Sequence, residues 1–249
     1  MTDSRAGEAE LLQAIARRLG RRHGSEGNNV PTTPGSSWWT PSASLPDPPA
    51  VMDRKSMAQR FLAELTRLGG HGLRAGSPAE AAEYVRAVAA GAQAVVWDDP
   101  LLARLGLAES LSNAGLEVTV WGSALGREEA KSLAAAARTG VTSAAWGVAE
   151  TGSIVLPTGA GQGRLVSLLP PVHVALLPEE RLVPSVAELF RVVARNARAG
   201  AALPSSLSLA TGPSRSADIE NDLTTGVHGP VEVHVVLLGP GSGDACARA

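Results

Sequence analysis

Two stretches of the 249-residue chain concentrate the side chains that could do chemistry. The first, ETGSIVLPTGAGQGR at 150–164, sets Glu150, Thr151, Gly152 and Ser153 at a strand boundary and closes on Gly161, Gly163 and Arg164. If partly desolvated, Glu150 could serve as a base or an acyl nucleophile, since burial favours the reactive protonation change. Equally, it could accept backbone hydrogen bonds within its own turn. The glycines permit close backbone approach, so successive N–H groups could cradle an anion, or they could form a plain β-turn. Their spacing is not the dinucleotide fingerprint, and Pro170-Pro171 leaves no room for a crossover helix behind them.

The second stretch, TGPSRSADIENDLTTGVHGP at 211–230, follows an apolar run and is dense in polar and turn-forming residues. Read as the loop at the end of a parallel strand, it is a place for a ligand, with Thr211, Gly212, Pro213 and Ser214 leading to Arg215, a planar fork for carboxylate or phosphate. The competing reading pairs Arg215 internally with Asp218 or Glu150. Ser216 would cap a short helix carrying Asp218 and Glu220 in its first turn. His228, beside Gly229 in a Gly-Val-His-Gly-Pro turn, is open to either a proton-transfer or a structural role. His234 alternates with valines, which predicts an exposed strand face, and His173 reads as a hydrogen-bonded residue at a strand start. The expectation that ties these together is that the segments near 150 and 215 converge on one anion-accepting hollow.

Other chemistries lack their residues. No GxSxG, HExxH, CxxC or Walker A string occurs. The one cysteine, Cys246, excludes an internal disulfide, a thiolate zinc site or an iron–sulfur cluster built by this chain alone, so no metal or cofactor of its own is expected.

The elements that must position these residues follow from periodicity. Residues 8–20 carry an amphipathic stripe, and 25–49 form a proline- and serine-rich linker in which Trp38 and Trp39 need a docking surface. The domain division is therefore 1–50 for this helix and linker and 51–249 for one α/β domain. Within the latter, Met57, Phe61, Leu65 and Leu68 form a helical stripe, and Pro78–Ala90 forms a second helix. QAVVW and EVTVWG are strands, and Asp99-Pro100 opens a helix. GREEAKSLAAAARTG is helical; TSAAWGVA, SIVLP, VHVALL, SLSLAT and VEVHVVLL are strands. The helix at 184–199 should turn Val186, Leu189, Phe190 and Val193 inward. About seven apolar strands separated by helices predict an open, mostly parallel sheet with helices on both faces, with some antiparallel pairing near AETG. At 44% apolar the chain can fill such a core, while 22 basic against 24 acidic residues give a net charge of −2 that offers nucleic acid no field. No apolar run is long enough for a membrane span, and the acidic and basic residues among the first twenty do not suit a signal peptide, so a cytoplasmic location is expected.

The strings AETGSIVL, GQGRLVSLLPPVHVAL and GPSRSADIENDLTTGVHGPVEVHVVL resemble the LUD-domain family, in its lactate-utilization protein C (YkgG-like) branch, over roughly residues 60–240. Serine at 153 and 216, where the family commonly has threonine, is a mild departure. The resemblance implies a fold like that of the NagB/RpiA/CoA-transferase superfamily. It implies a non-redox accessory subunit of a bacterial L-lactate to pyruvate oxidation system that binds a small carboxylate or other anion. Two iron–sulfur lactate-utilization proteins would be its partners and carry the clusters. It carries over the motif residues already named only as candidates and brings no established catalytic residue; Glu150 and His228 are the catalytic candidates on the reading of the residues themselves. The alternative is a stand-alone CoA-transferase-like acyl transferase, or a sugar-phosphate isomerase-like enzyme, acting through Glu150. A purely scaffolding role is a third reading.

Overall fold

In the computed structural model, residues 52–89, 93–122, 126–217, 223–226 and 228–240 are described. The amino-terminal helix and linker, Trp38, Trp39, Asp218, Glu220 and Cys246 lie outside them.

Asp53 starts the first described helix, α1 (Arg54–Arg67), by accepting the Ser56 N–H at 2.9 Å, and the same contact with the Ser56 hydroxyl holds its carboxyl below the usual range. Ala58, Phe61 and Leu65, spaced three and four apart, form its buried face. After β1 (His71–Ala75), α2 (Pro78–Ala89) buries Ala81, Val85 and Ala89. Strand β2 (Ala94–Trp97) is buried on both faces, as a central parallel strand must be. Asp99 then accepts the Leu101 N–H at 2.9 Å and Pro100 occupies the first turn of α3 (Pro100–Arg104), as the sequence predicts. There follow α4 (Leu107–Asn113), β3 (Val118–Trp121), α5 (Arg127–Ala136) and β4 (Thr139–Ser143).

TSAAWGVA is not one strand. The chain leaves β4 at Ser143 and re-enters a different sheet as β5 (Trp146–Val148), which turns back antiparallel into β6 (Ser153–Thr158). A short helix, α6 (Leu165–Leu168), leads to β7 (Val172–Pro178) and β8 (Leu182–Val183). Helix α7 (Val186–Arg198), β9 (Ser206–Ala210), the hairpin β10 (Arg215–Ala217) and β11 (Leu223–Thr225), and β12 (Glu232–Leu238) complete the described elements.

The large sheet has the order β1-β12-β7-β4-β2-β3, with every neighbouring pair parallel. Successive residues of a strand face opposite sides, so the two faces can be read from β12. His234 points toward α2, where it meets Tyr84, while its neighbour Val233 pairs with His173 on the side covered by α6. Helices therefore cover both faces, and the predicted α/β architecture holds. On the α6 side the approach is close: a β-carbon at Gly140 would run into the Val166 carbonyl. The smaller sheet, β8-β5-β6-β9, pairs β5 with β8 in parallel and is otherwise antiparallel. It packs Val148, Val155 and Val183 against Leu189 of α7 in a core of its own.

Two burial expectations are corrected. His234 is buried, because β12 is an interior strand and both of its faces are covered. Phe190 is 52% exposed on α7, where Leu189 takes the inward position.

Candidate functional site

A cavity of about 240 Å³ lies between the two sheets. The small sheet contributes Leu156, Ser208 and Ala210; the large sheet contributes His173 and Val233, each the second residue of its strand. The sides are closed by Arg164, Ser167 and Leu168, and by the backbone turns at Gly212–Ser214 and His228–Pro230. Leu156 faces Ser208 directly across the β6–β9 ladder, so a polar and an apolar side chain enter the hollow side by side.

Arg164 reaches this place because of the glycine-rich loop before it. Gly159 and Gln162 exchange backbone hydrogen bonds and close the turn, and Gly161 adopts φ +73°, open to glycine at little cost. The Trp97 indole N–H donates to the Gly163 carbonyl at 2.9 Å, and Gln162 donates to the Asp99 carboxylate at 3.1 Å. A side chain at Gly163 would collide with the Trp121 indole. Close approach to Trp121 thus accounts for Gly163, and close approach to the Asp98 backbone accounts for Gly161; the chain emerging from the loop delivers Arg164 to the cavity. Arg164 is exposed and makes no ion pair among the described residues.

His173 forms part of the inner wall. It is 1% exposed and its Nε2 lies 2.9 Å from the Thr142 hydroxyl. Burial, assisted by the nearby His234, lowers its pKa to about 4, so the ring is neutral at ordinary pH. His228 is exposed where it lines the same cavity. Among the described residues no aspartate or glutamate lines the hollow, and Arg164 is its one fixed charge. That arrangement suits a single planar anionic group, held through a guanidinium fork.

The sequence-predicted residues divide between this cavity and a neighbouring junction. Arg164, Gly212, Ser214, His228 and Gly229 line the cavity; Glu150 and Arg215 do not. The segments near 150 and 211 do meet, through a chain of hydroxyls: Thr151 to Ser153 at 2.8 Å and Ser153 to Thr211 at 2.7 Å. Both press on the carboxyl end of α1. Gly152, at φ +64°, lies against the Glu64–Leu65 backbone, where a β-carbon would not fit, and Gly212 sits near Leu68. Pro213 is half-buried in the same turn.

Arg215 donates to the Leu68 carbonyl at 2.6 Å, just past the last turn of α1, where a cation complements the helix dipole. Glu150 is half-buried, with one carboxylate oxygen 3.5 Å from the Val186 N–H at the start of α7. Two further readings are corrected. Ser216 lies in β10, paired with Thr224, rather than capping a helix. The 211–230 segment follows β9, whose partner β6 is antiparallel, so it is not the loop after a parallel strand.

Ser167, Ser208 and His173 line the hollow, and sequence reasoning did not assign them to a site. One signal was present: in SLSLA small residues alternate with leucines, which puts Ser206, Ser208 and Ala210 on one face of β9.

On the opposite face of β12 a histidine pair is built. The His71 and His234 rings stack at 4.6 Å, and the Tyr84 hydroxyl meets His234 Nδ1 at 2.9 Å. Burial lowers the His234 pKa. Among the described residues no group of three or more His, Cys, Asp or Glu is placed to hold a metal ion. No described helix is long and apolar enough to cross a membrane.

Comparison with known proteins places the chain in a family. The model for the LUD domain matches residues 58–238. Lactate utilization protein C of Geobacillus sp. (strain WCH70) is 30% identical over 233 residues, covering 92% of this chain and 94% of that protein. Lactate utilization protein C of Bacillus subtilis (strain 168) is 36% identical over 152 residues, 59% of this chain and 63% of its own. A protein of Escherichia coli (strain K12) named uncharacterized protein YkgG is 37% identical over 144 residues, 58% and 62% of the two chains. The crystal structure of a DUF162 family protein from Deinococcus radiodurans aligns with a TM-score of 0.54 at 23% identity, over 76% of this chain and 100% of that one, a likeness of fold.

Proposed function

Because this chain belongs to the LUD-domain family, we propose that it serves lactate utilization as a non-redox accessory subunit that binds a small carboxylate in the cavity between its sheets. The observation that carries the proposal is Arg164, which among the described residues has no ion-pair partner and shares the cavity lining with no acidic side chain. A carboxylate there gains two parallel charge-assisted hydrogen bonds without displacing an existing pair. Ser208 and Ser214 supply hydroxyls that can donate to a second oxygen of the ligand, and His228 is the group available to move a proton.

Oxidation of L-lactate to pyruvate releases two electrons and two protons. With one cysteine the chain cannot supply the thiolates of an iron–sulfur cluster, so the electrons would pass to clusters in two partner proteins. Glu150 serves the junction instead: its carboxylate faces the first turn of α7, where negative charge is favoured, and it is absent from the cavity wall. That placement supports the accessory reading over acyl transfer through Glu150.

Reconstitution tests the proposal. The purified chain with L-lactate and a dye acceptor should give no turnover, lactate-dependent dye reduction should require the two iron–sulfur partners as well, and Arg164→Gln should impair the assembled system. Turnover by this chain alone would overturn the accessory role.

A further inference from the structure

The hollow between the sheets is larger than a three-carbon acid needs. A cavity of about 150 Å³ accommodates benzene, so the ≈ 240 Å³ here corresponds to a ligand of about ten non-hydrogen atoms. L-Lactate has as many non-hydrogen atoms as benzene and would leave roughly a third of the volume unfilled. Empty space beside apolar walls forfeits contact on every lining atom, which disfavours so small an occupant.

The walls also say what fills the remainder. Leu156 of the small sheet, Leu168 of α6 and Val233 of the large sheet give the interior an apolar character beside Ser208 and His173. Charge narrows the class further. Among the described residues Arg164 is the one fixed charge on the lining and no carboxylate joins it, while His173 is neutral above about pH 4. A dianion would therefore be left half-compensated in a partly buried place, at considerable cost.

We infer that the occupant is a monocarboxylate of about ten non-hydrogen atoms, its carboxylate on the Arg164 guanidinium and its hydrocarbon body between Leu156 and Val233. The inference rests on the proposal that this cavity holds a carboxylate and specifies which kind: a medium-length acyl or aryl acid rather than L-lactate itself.

Calorimetric titration of the full chain at neutral pH tests it, using the straight-chain carboxylates from propionate to dodecanoate, with L-lactate and octan-1-ol alongside. Affinity should rise about fourfold per added methylene as far as octanoate and then level off or fall, because further methylenes no longer find buried surface. Octanoate should bind at least tenfold more tightly than L-lactate, and Arg164→Gln should bring octanoate down to the level of octan-1-ol. A series that is flat in chain length, or one that climbs without limit to dodecanoate, overturns the bounded apolar cavity. L-Lactate binding as tightly as octanoate through Arg164 overturns the size inference while leaving the carboxylate site standing. If no carboxylate of any length binds, the carboxylate site itself falls.

Discussion

Acidification should destabilise this protein through one identifiable ring. His173 lies on β7 beneath the cavity, 1% exposed, with Nε2 committed to the Thr142 hydroxyl, and burial lowers its pKa from 6.5 to about 4. The folded state therefore binds a proton more weakly than the unfolded chain. Between those two values the unfolded state holds more protons, so stability falls as pH falls from about 6.5, and the loss levels off below about pH 4. Above pH 7 the ring contributes no slope. A gap of this size, at about 1.4 kcal/mol per unit, corresponds to a loss of about 3 kcal/mol, a substantial share of a domain's stability. His234 shifts in the same direction, and surface carboxylates titrate in the same range, so the wild-type profile alone does not isolate the effect. The assay is urea denaturation from pH 7.5 to pH 4 for the wild type and for His173→Gln, whose side chain is neutral throughout. The difference in unfolding free energy between the two should be constant above pH 7 and shrink by about 3 kcal/mol by pH 4. Parallel profiles would refute the claim that a neutral, buried His173 holds the wall together.

Two substitutions test the structures that place the site. Gly163→Ala puts a β-carbon into the Trp121 indole, so it should cost about 1–3 kcal/mol in chemical denaturation and change tryptophan fluorescence, as Trp97 loses its acceptor. Arg215→Met removes the donor to the Leu68 carbonyl at the carboxyl end of α1; the loss should be about 1 kcal/mol, and carboxylate binding in the cavity should be unchanged within error, since Arg215 does not line it.

The strands of the large sheet were readable because each must be apolar on both faces: AVVW and VHVALLP are short, β-branched and bounded by turns. The cap at Asp99-Pro100 was equally local, needing only a side-chain acceptor two residues before the N–H it receives. What escaped depends on partners distant in sequence. HGLRA carries one large apolar residue and gave no strand signal, yet β1 forms because β12 offers it a parallel edge. TSAAWGVA reads as a continuous run, and nothing within it records that Ser143 pairs with Leu176 in one sheet while Trp146 pairs with Val155 in another. The site was half legible for the same reason. Arg164, Ser214 and His228 stood out as polar residues among turns, but Ser208 and His173 belong to strands, and only the docking of one sheet on the other turns them into walls.

That docking also explains why the cavity is at the amino ends of the strands. In the large sheet the chain passes from β2 outward to β3, then from β4 outward in the other direction to β7 and β12, so the order reverses between β2 and β4. Open parallel sheets ordinarily bind ligands outside the carboxyl ends of the strands at such a reversal. Here the 159–163 loop fills that position: the Asp98 N–H donates to the Gly161 carbonyl at 3.2 Å, and Trp97, Asp99 and Trp121 grip Gln162 and Gly163. A loop of bulkier residues could not lie so close, which gives the glycines there a packing reason. From this anchorage the chain descends the sheet, lays the Val166 carbonyl over Gly140 and reaches Pro171 at the foot of β7. The segment that closes the usual crevice is therefore the one that carries Arg164 to the new hollow, and freeing the loop should disturb the ligand site from a distance although no loop glycine lines it.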